Sequence, residues 1–242
     1  MKNLVIDIGN TSLKAAFAEG VELQDIHKTE SGEDMWDFVL CLTKDIEVDT
    51  IAISSVRDID ESFLEKLAKK CRKMVVVDGT TPLSIKNEYK TPKTLGPDRL
   101  VAAYAATKIF PDENCMIFDF GTAVTIDFVT ADKIFLGGNI SPGVLSRFRS
   151  LNDYTQRLPL VDIPEFLSQK GTKTEEAIQS GVILGLIFEI EGYIRAYPDY
   201  IAIFTGGDAN FFAERMKNPI FAICNLVLKG LAHIANNYVE RK

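Results

Sequence analysis

The chain has 242 residues, 46% hydrophobic and 25% charged, enough to bury a substantial core as one large domain or as two compact halves. Its net charge of −7 argues against nucleic acid, which needs a basic footprint, and leaves small polyanions open because amides and a cation can hold them locally. With four scattered cysteines (Cys41, Cys71, Cys115, Cys224) and two histidines (His27, His233), zinc sites and disulfide scaffolds are not expected.

The chain enters a strand pattern directly, without the basic start and apolar core of a signal peptide, and no apolar stretch reaches membrane-spanning length. A cytoplasmic protein without membrane partners is the expectation. Residues 2–8, 12–18 and 21–28 read as strands, 33–44 as a helix and 50–55 as a strand. Residues 60–71 have helical spacing, with Phe63, Leu64, Leu67 and Ala68 on one side, before an apolar strand at 74–77. The segment 79–97 is looser and gives way to a helix over 97–109 that Pro97 starts. Strands follow at 115–119, 123–129 and 133–136, then a turn through residues 137–143 and a helix from about Pro142. After an irregular stretch through Leu158 and Pro159 come a long apolar helix over 174–197, a buried strand at 200–204, and helices at 208–216 and 224–240. Trp36 sits in a helical apolar pattern and reads as core, while the basic group Lys66, Lys69, Lys70, Arg72 and Lys73 reads as a solvated helix end.

One design occurs twice. Leu4-Val5-Ile6-Asp7-Ile8-Gly9-Asn10-Thr11 returns as Met116-Ile117-Phe118-Asp119-Phe120-Gly121-Thr122, and Thr50 to Ser55 has a counterpart in Ile201 to Gly206. Each copy is a strand, a turn of phosphate size and a returning strand. Glycine admits close backbone approach, turn amides and threonine hydroxyls donate hydrogen bonds, and an aspartate can hold a cation that bridges phosphate oxygens. The pattern predicts a duplicated α/β fold, with halves at 1–110 and 111–242 and nucleotide between them.

Taken singly, the candidate residues have structural readings too. Asp7 can cap an ordinary turn, Gly206-Gly207 can be only a turn, and Asp98 and Arg99 fall in a first helical turn where an acidic residue suits the macrodipole. Tyr89 can cover core, and Thr174 can cap the long helix. Along that helix Ile178, Val182, Ile183, Leu184, Leu186, Ile187, Phe188 and Ile190 spread around more than one face, which predicts burial within one core or partly against a partner.

In order, Asp-x-Gly-Asn-Thr, Gly-x-Asp-Arg, Asp-x-Gly-Thr and Thr-Gly-Gly-Asp, together with Gly137-Gly138 through Pro142-Gly143 and Thr174 through Gly181, resemble the type III pantothenate kinases. These belong to the acetate and sugar kinase, heat-shock chaperone and actin superfamily. The resemblance implies a duplicated actin-like ATPase (ribonuclease H-like) fold. It also implies transfer of the ATP γ-phosphoryl group to the primary hydroxyl of pantothenate, giving 4'-phosphopantothenate, the first step of coenzyme A biosynthesis. By the same resemblance Asp7, Ile8, Gly9, Asn10, Thr11, Ser12, Leu13, Lys14, Thr122, Gly206 and Gly207 meet ATP, Asp7 acting through Mg²⁺, and Asp119 helps hold potassium or ammonium. Asp98 is the general base, Arg99 pairs with the pantothenate carboxylate, and Tyr89, Gly96, Pro97 and Thr174 complete the acceptor site, in a homodimer that pairs through the second half. Two positions depart from the family pattern: Pro97 replaces a small residue such as alanine, and Lys173 stands where asparagine is expected. The other readings are a non-catalytic accessory or regulatory relative, against which the joint presence of Asp7, Asp98, Arg99, Asp119 and Thr122 speaks, and a kinase or phosphatase of the superfamily with another small substrate.

Overall fold

The computed structural model describes residues 2–30, 32, 34–44 and 46–240. The elements run β1 (Lys2–Ile8), β2 (Ser12–Glu19), β3 (Glu22–Glu30), α1 (Met35–Leu42), β4 (Val48–Ser55), α2 (Glu61–Ala68), β5 (Cys71–Val77), β6 (Lys86–Asn87), a 3₁₀ turn (Pro92–Thr94) and α3 (Pro97–Ile109). They continue as β7 (Cys115–Phe120), β8 (Ala123–Val129), β9 (Ile134–Pro142), α4 (Val144–Asp153), α5 (Thr174–Ala196), β10 (Ile201–Gly206), α6 (Ala209–Ala213), β11 (Ile220–Ala222) and α7 (Leu226–Glu240). One sheet has the order β3-β2-β1-β4-β5 and the other β11-β10-β7-β8-β9-β6. Read from β9 to β11, the second repeats the first, with β6 added at its edge.

Side-chain alternation decides what each face of the first sheet meets. Leu4, Ile6 and Ile8 of β1 and Ile51 and Ile53 of β4 share a core with Met35 and Val39 of α1 and Phe63 and Leu67 of α2. Trp36 packs against that core, its ring 4.5 Å from Phe63. Apart from Val5 the intervening positions, Asn3, Asp7, Thr50, Ala52 and Ser54, are small or polar, and α7 packs against β1 and β4. Helix α3 packs on α7, and Gly230 makes that approach possible: a Cβ there would stand 2.5 Å from the Val101 carbonyl oxygen. The core beside β7 is aromatic instead. Phe120 stacks on Phe212 at 4.9 Å, and Phe204 meets both Phe118 and Phe120 edge-on.

The chain divides into two compact units. One comprises residues 1–113, 128–137 and 225–242, the other residues 114–127 and 138–224. This differs from a linear division at 110/111, because α7 lies against the first sheet and the stretch around the β8–β9 turn groups with the first unit. Several expectations about single elements need correction. The helix predicted over 60–71 ends at Ala68, since Cys71 already pairs with Val48 in β5. The predicted turn at 137–143 is mostly strand, and its glycines serve close packing: a Cβ on Gly137, whose φ is 93°, would lie 2.9 Å from the Tyr89 ring, and one on Gly138 would strike the Ile126 carbonyl oxygen at 1.9 Å. At 23 residues, with an 18-residue window of hydropathy 1.4, α5 does reach the length and composition of a membrane span. In the fold, Ile183, Leu186 and Ile190 are buried, α4 packs against the helix, and Glu189 pairs with Arg147 of α4. A core helix of a soluble protein meets the same test.

Candidate active site

Both repeats close through the amide of their glycine, across three residues in the first turn and two in the second. The Gly9 amide donates to the Ser12 carbonyl at 2.9 Å, and the Gly121 amide to the Ala123 carbonyl at 3.0 Å. The carbonyl one residue earlier is held by the neighbouring loop, Ile8 by the Val56 amide at 3.1 Å and Phe120 by the Gly207 amide at 2.8 Å. Asn10 and Thr11, like Gly121 and Thr122, are exposed at the turn tips, while Asp7 and Asp119 are half-buried at the strand ends. Such a turn offers amides and a hydroxyl to an anion while keeping its carboxylate in place. Ser12 and Leu13 lead into β2, and Lys14, paired with Asp7 in the strand register, donates from Nζ to Asn225 Oδ1 at 3.2 Å.

The start of α3 belongs to the first unit as well. Gly96 is its N-cap and Pro97 its first residue, so Asp98 lies in the first turn as expected. Its Oδ1 accepts the Arg99 amide at 2.9 Å, and a Cβ at Gly96 would come within 2.5 Å of that oxygen. Glycine therefore makes room for the carboxylate. Arg99 is only 5% exposed, with its guanidinium carbon 5.6 Å from the centre of the Tyr89 ring. Tyr89 is itself fixed: its amide donates to Asn87 Oδ1, Asn87 Nδ2 donates to the Gly79 carbonyl, and its ring covers Gly137. Asp98, Arg99 and Tyr89 thus form one local group.

In the second unit, α4 begins against the Asp119 turn. The Gly143 amide and the Ser146 hydroxyl both donate to the Thr122 carbonyl, and a Cβ at Gly143 would lie 2.1 Å from the Gly121 carbonyl oxygen. Gly206, at φ 92°, ends β10 so closely that a Cβ would fall 2.5 Å from Asp119 Oδ1. Burial raises the Asp208 carboxyl above its ordinary range. Thr174 is the first residue of α5 but not its cap; Lys173 holds that position without a side-chain bond, and Glu176 accepts from the Thr172 amide and hydroxyl. Lys173 is exposed and lies 3.9 Å from Glu176.

Sequence reasoning passed over Asp127, a carboxylate only 1% exposed, whose Oδ1 lies 2.8 Å from where a Cβ on Gly138 would stand. The glycine pair was its only signal. His27 and His233 lie outside these groups; burial, with Lys108 and Lys229 nearby, holds His233 below its usual pKa and so neutral.

A sequence profile described as type III pantothenate kinase matches residues 3–196. The chain belongs to this family. A type III pantothenate kinase from Flavobacterium johnsoniae is 38% identical to it over 95% of both chains. Among solved structures, a Campylobacter jejuni protein provisionally assigned to the Baf family of transcriptional activators superposes with a TM-score of 0.66 at 22% identity, over 97% of this chain and 98% of that one. The activator of 2-hydroxyisocaproyl-CoA dehydratase from Clostridium difficile, with bound ADPNP, superposes with a TM-score of 0.57 at 12% identity, over 99% and 96%. The fold is the duplicated one of actin-like ATPases and sugar kinases. As a member of its family the chain is an ATP-dependent pantothenate kinase of coenzyme A biosynthesis.

The residues present also bear on the ions such an enzyme uses. Among the described residues no three His, Cys, Asp or Glu side chains gather into a metal cage. The half-buried carboxylates of Asp7 and Asp119 are oxygen donors of the kind that hard cations take beside substrate phosphates.

Proposed function

We propose that the Asp7 to Lys14 turn and Thr122 hold the ATP phosphates, with Asp7 acting through Mg²⁺ and Asp119 through potassium or ammonium, while Gly206 and Gly207 admit the nucleoside. Asp98 takes the proton from the primary hydroxyl of pantothenate as that oxygen attacks the γ-phosphorus, and ADP leaves. The bound Mg²⁺ supplies charge neutralisation on the phosphates. Arg99 pairs with the pantothenate carboxylate, with Tyr89, Gly96, Pro97 and Thr174 lining the acceptor.

The observation that carries this division is the Asp98–Arg99–Tyr89 group. A buried arginine with its guanidinium over an aromatic ring, one residue from a carboxylate whose rotamer an N-cap glycine permits, suits an anionic acceptor and a positioned base. A coupled assay with pantothenate, ATP, Mg²⁺ and potassium tests it. Phosphorylation of pantothenate, stimulated by potassium or ammonium and poorly by sodium, is expected, and full activity in sodium alone would contradict the role given to Asp119.

The working form in this proposal is a cytoplasmic homodimer pairing through α5. Phe188 stands 63% exposed on that helix, and a Cβ at Gly181, Gly185 or Gly192 would meet nothing within 4 Å, which leaves room for a second helix. Light scattering together with activity on dilution tests this, and a fully active monomer would refute it.

A further inference from the structure

Three buried side-chain atoms among the described residues lack a hydrogen-bond partner: Asn3 Nδ2, Thr50 Oγ1 and Ser54 Oγ. Buried polar groups are ordinarily paired, so each calls for a physical account. Strand register places all three on one face. β1 and β4 are parallel, with Leu4 beside Ile51 and Asp7 beside Ser54, and the period of two puts Asn3 and Asp7 on the face opposite Leu4, Ile6 and Ile8. Asn3 and Thr50 already share one bond, from the Thr50 amide to Asn3 Oδ1 at 3.1 Å. Ser54 has none, and it is fully buried next to the aspartate of the first turn.

The second repeat has a hydroxyl at the same place. β7 and β10 are parallel in the matching register, with Asp119 beside Thr205, which is 2% exposed. An apolar residue would satisfy packing at either position, and both carry a hydroxyl. Serine turns about one torsion, so its Oγ can swing from an unpaired orientation onto the carboxylate of the adjacent strand without backbone movement.

We propose that Ser54 is the positioning residue for Asp7, its hydroxyl donating to the Asp7 carboxylate when Mg·ATP is bound and fixing which carboxylate oxygen faces the metal. A carboxylate that ligates through one oxygen needs its other lone pairs held, and outer hydrogen bonds of this kind orient ligands. The proposal rests on the role given above to Asp7.

The test measures Mg·ATP binding by calorimetry and steady-state kinetics for Ser54→Ala, Ser54→Thr and Asp7→Asn. Ser54→Ala is expected to weaken Mg·ATP binding and raise its KM about tenfold, the worth of one hydrogen bond to a charged group. The pantothenate KM and the unfolding temperature should stay level. Ser54→Thr, which keeps the hydroxyl, should bind Mg·ATP nearly as the parent does. Unchanged binding in Ser54→Ala would overturn the proposal, and so would Ser54→Thr falling as far as Ser54→Ala, which would mean that volume alone matters. Asp7→Asn separates the two layers. If it binds Mg·ATP and turns over normally, the reading of Asp7 fails and this proposal with it; if it loses both while Ser54→Ala is normal, only the role of Ser54 fails.

Discussion

Two helices follow equivalent strands, and both begin at an aspartate. After β4, Asp60 caps α2: its Oδ1 accepts the Ser62 amide at 2.7 Å and the Phe63 amide at 3.3 Å. After β10, Asp208 occupies the N-cap of α6 yet makes no side-chain cap bond. The Ser62 hydroxyl, then the amides of Phe63 and Ser62, hold the Asp60 carboxyl below its ordinary range, whereas burial pushes that of Asp208 above it. The preceding residues differ in the same sense. Ser55 ends β4, and its hydroxyl bonds the Arg57 carbonyl within its own loop, while β10 ends at Gly206, which lies too close to Asp119 Oδ1 and the Phe120 backbone to carry a side chain. One copy of the duplicated unit uses this corner to hold itself together; the other leaves it free of capping bonds. Divergence of duplicated halves is thus visible as a difference in where hydrogen bonds go, within a shared sheet order.

The sharpest way to test an unequal division of labour is through the proposed base. Asp98→Asn should lower kcat by about 10²–10⁴-fold while ATP binding and the fold persist, measured by steady-state kinetics and calorimetry. Near-normal turnover would remove Asp98 from the chemistry. Next, Arg99→Ala should raise the pantothenate KM by roughly ten- to a hundredfold, because a charge-assisted pair with the substrate carboxylate is lost in ground and transition states alike. An unchanged KM would move the carboxylate elsewhere.

A matched pair addresses the corner itself. Gly206→Ala forces a Cβ toward Asp119 Oδ1 and the Phe120 carbonyl oxygen at a positive φ, which should destabilise the protein by roughly 1–3 kcal/mol and abolish stimulation by potassium. Ser55→Ala, at the equivalent position, should alter neither by much, since it removes only two exposed bonds within the loop. Equal effects would mean that the two corners are alike after all. Asp119→Ala should lose the monovalent effect more than the Mg²⁺ requirement, and equal loss of both would show the cation roles to be wrongly divided.

The smallest effects concern pH. An acid whose folded pKa is raised releases its proton first in the unfolded chain, so Asp208 removes stability as pH rises from the ordinary carboxylate range through its folded value. Asp208→Asn should therefore melt higher than the parent at neutral pH, the gap closing in acid. Asp60 has the opposite sign: its contribution is present above the unfolded pKa and is lost as pH falls through the lowered folded one. Asp60→Ala should melt lower at neutral pH, with the deficit shrinking in acid. Thermal melts across pH check both, and parallel curves would sink the comparison.

Strong local rules made part of this fold legible. The boundaries of β1, β8 and α3 follow from a short apolar run, from apolar alternation and from Pro97 at a helix start, respectively. Misreadings arose where tertiary packing overrode local chemistry. Gly137 and Gly138 look like a turn, yet they lie in a strand because Tyr89 and the Ile126 to Asp127 backbone come too close for side chains. Two-residue β6 and three-residue β11 are too short to leave a period. At the candidate site, the two Asp-x-Gly turns and the Asp98 turn were readable from spacing and repetition. Ser54 was not, because only strand register shows a small polar residue to be the neighbour of Asp7.

The placement of α7 bears on how the protein is made. Its Leu226, Leu228, Leu231 and Ala235 are buried in a unit whose strands lie near the other end of the chain. A ribosome must therefore synthesise everything from β5 to β11 before the face of β1 that carries Asp7 can be covered. Such distant contacts slow folding and leave apolar surface open to chaperones or to aggregation meanwhile. The first unit is thus begun early in translation and finished late, and the strand bearing Asp7 waits for both.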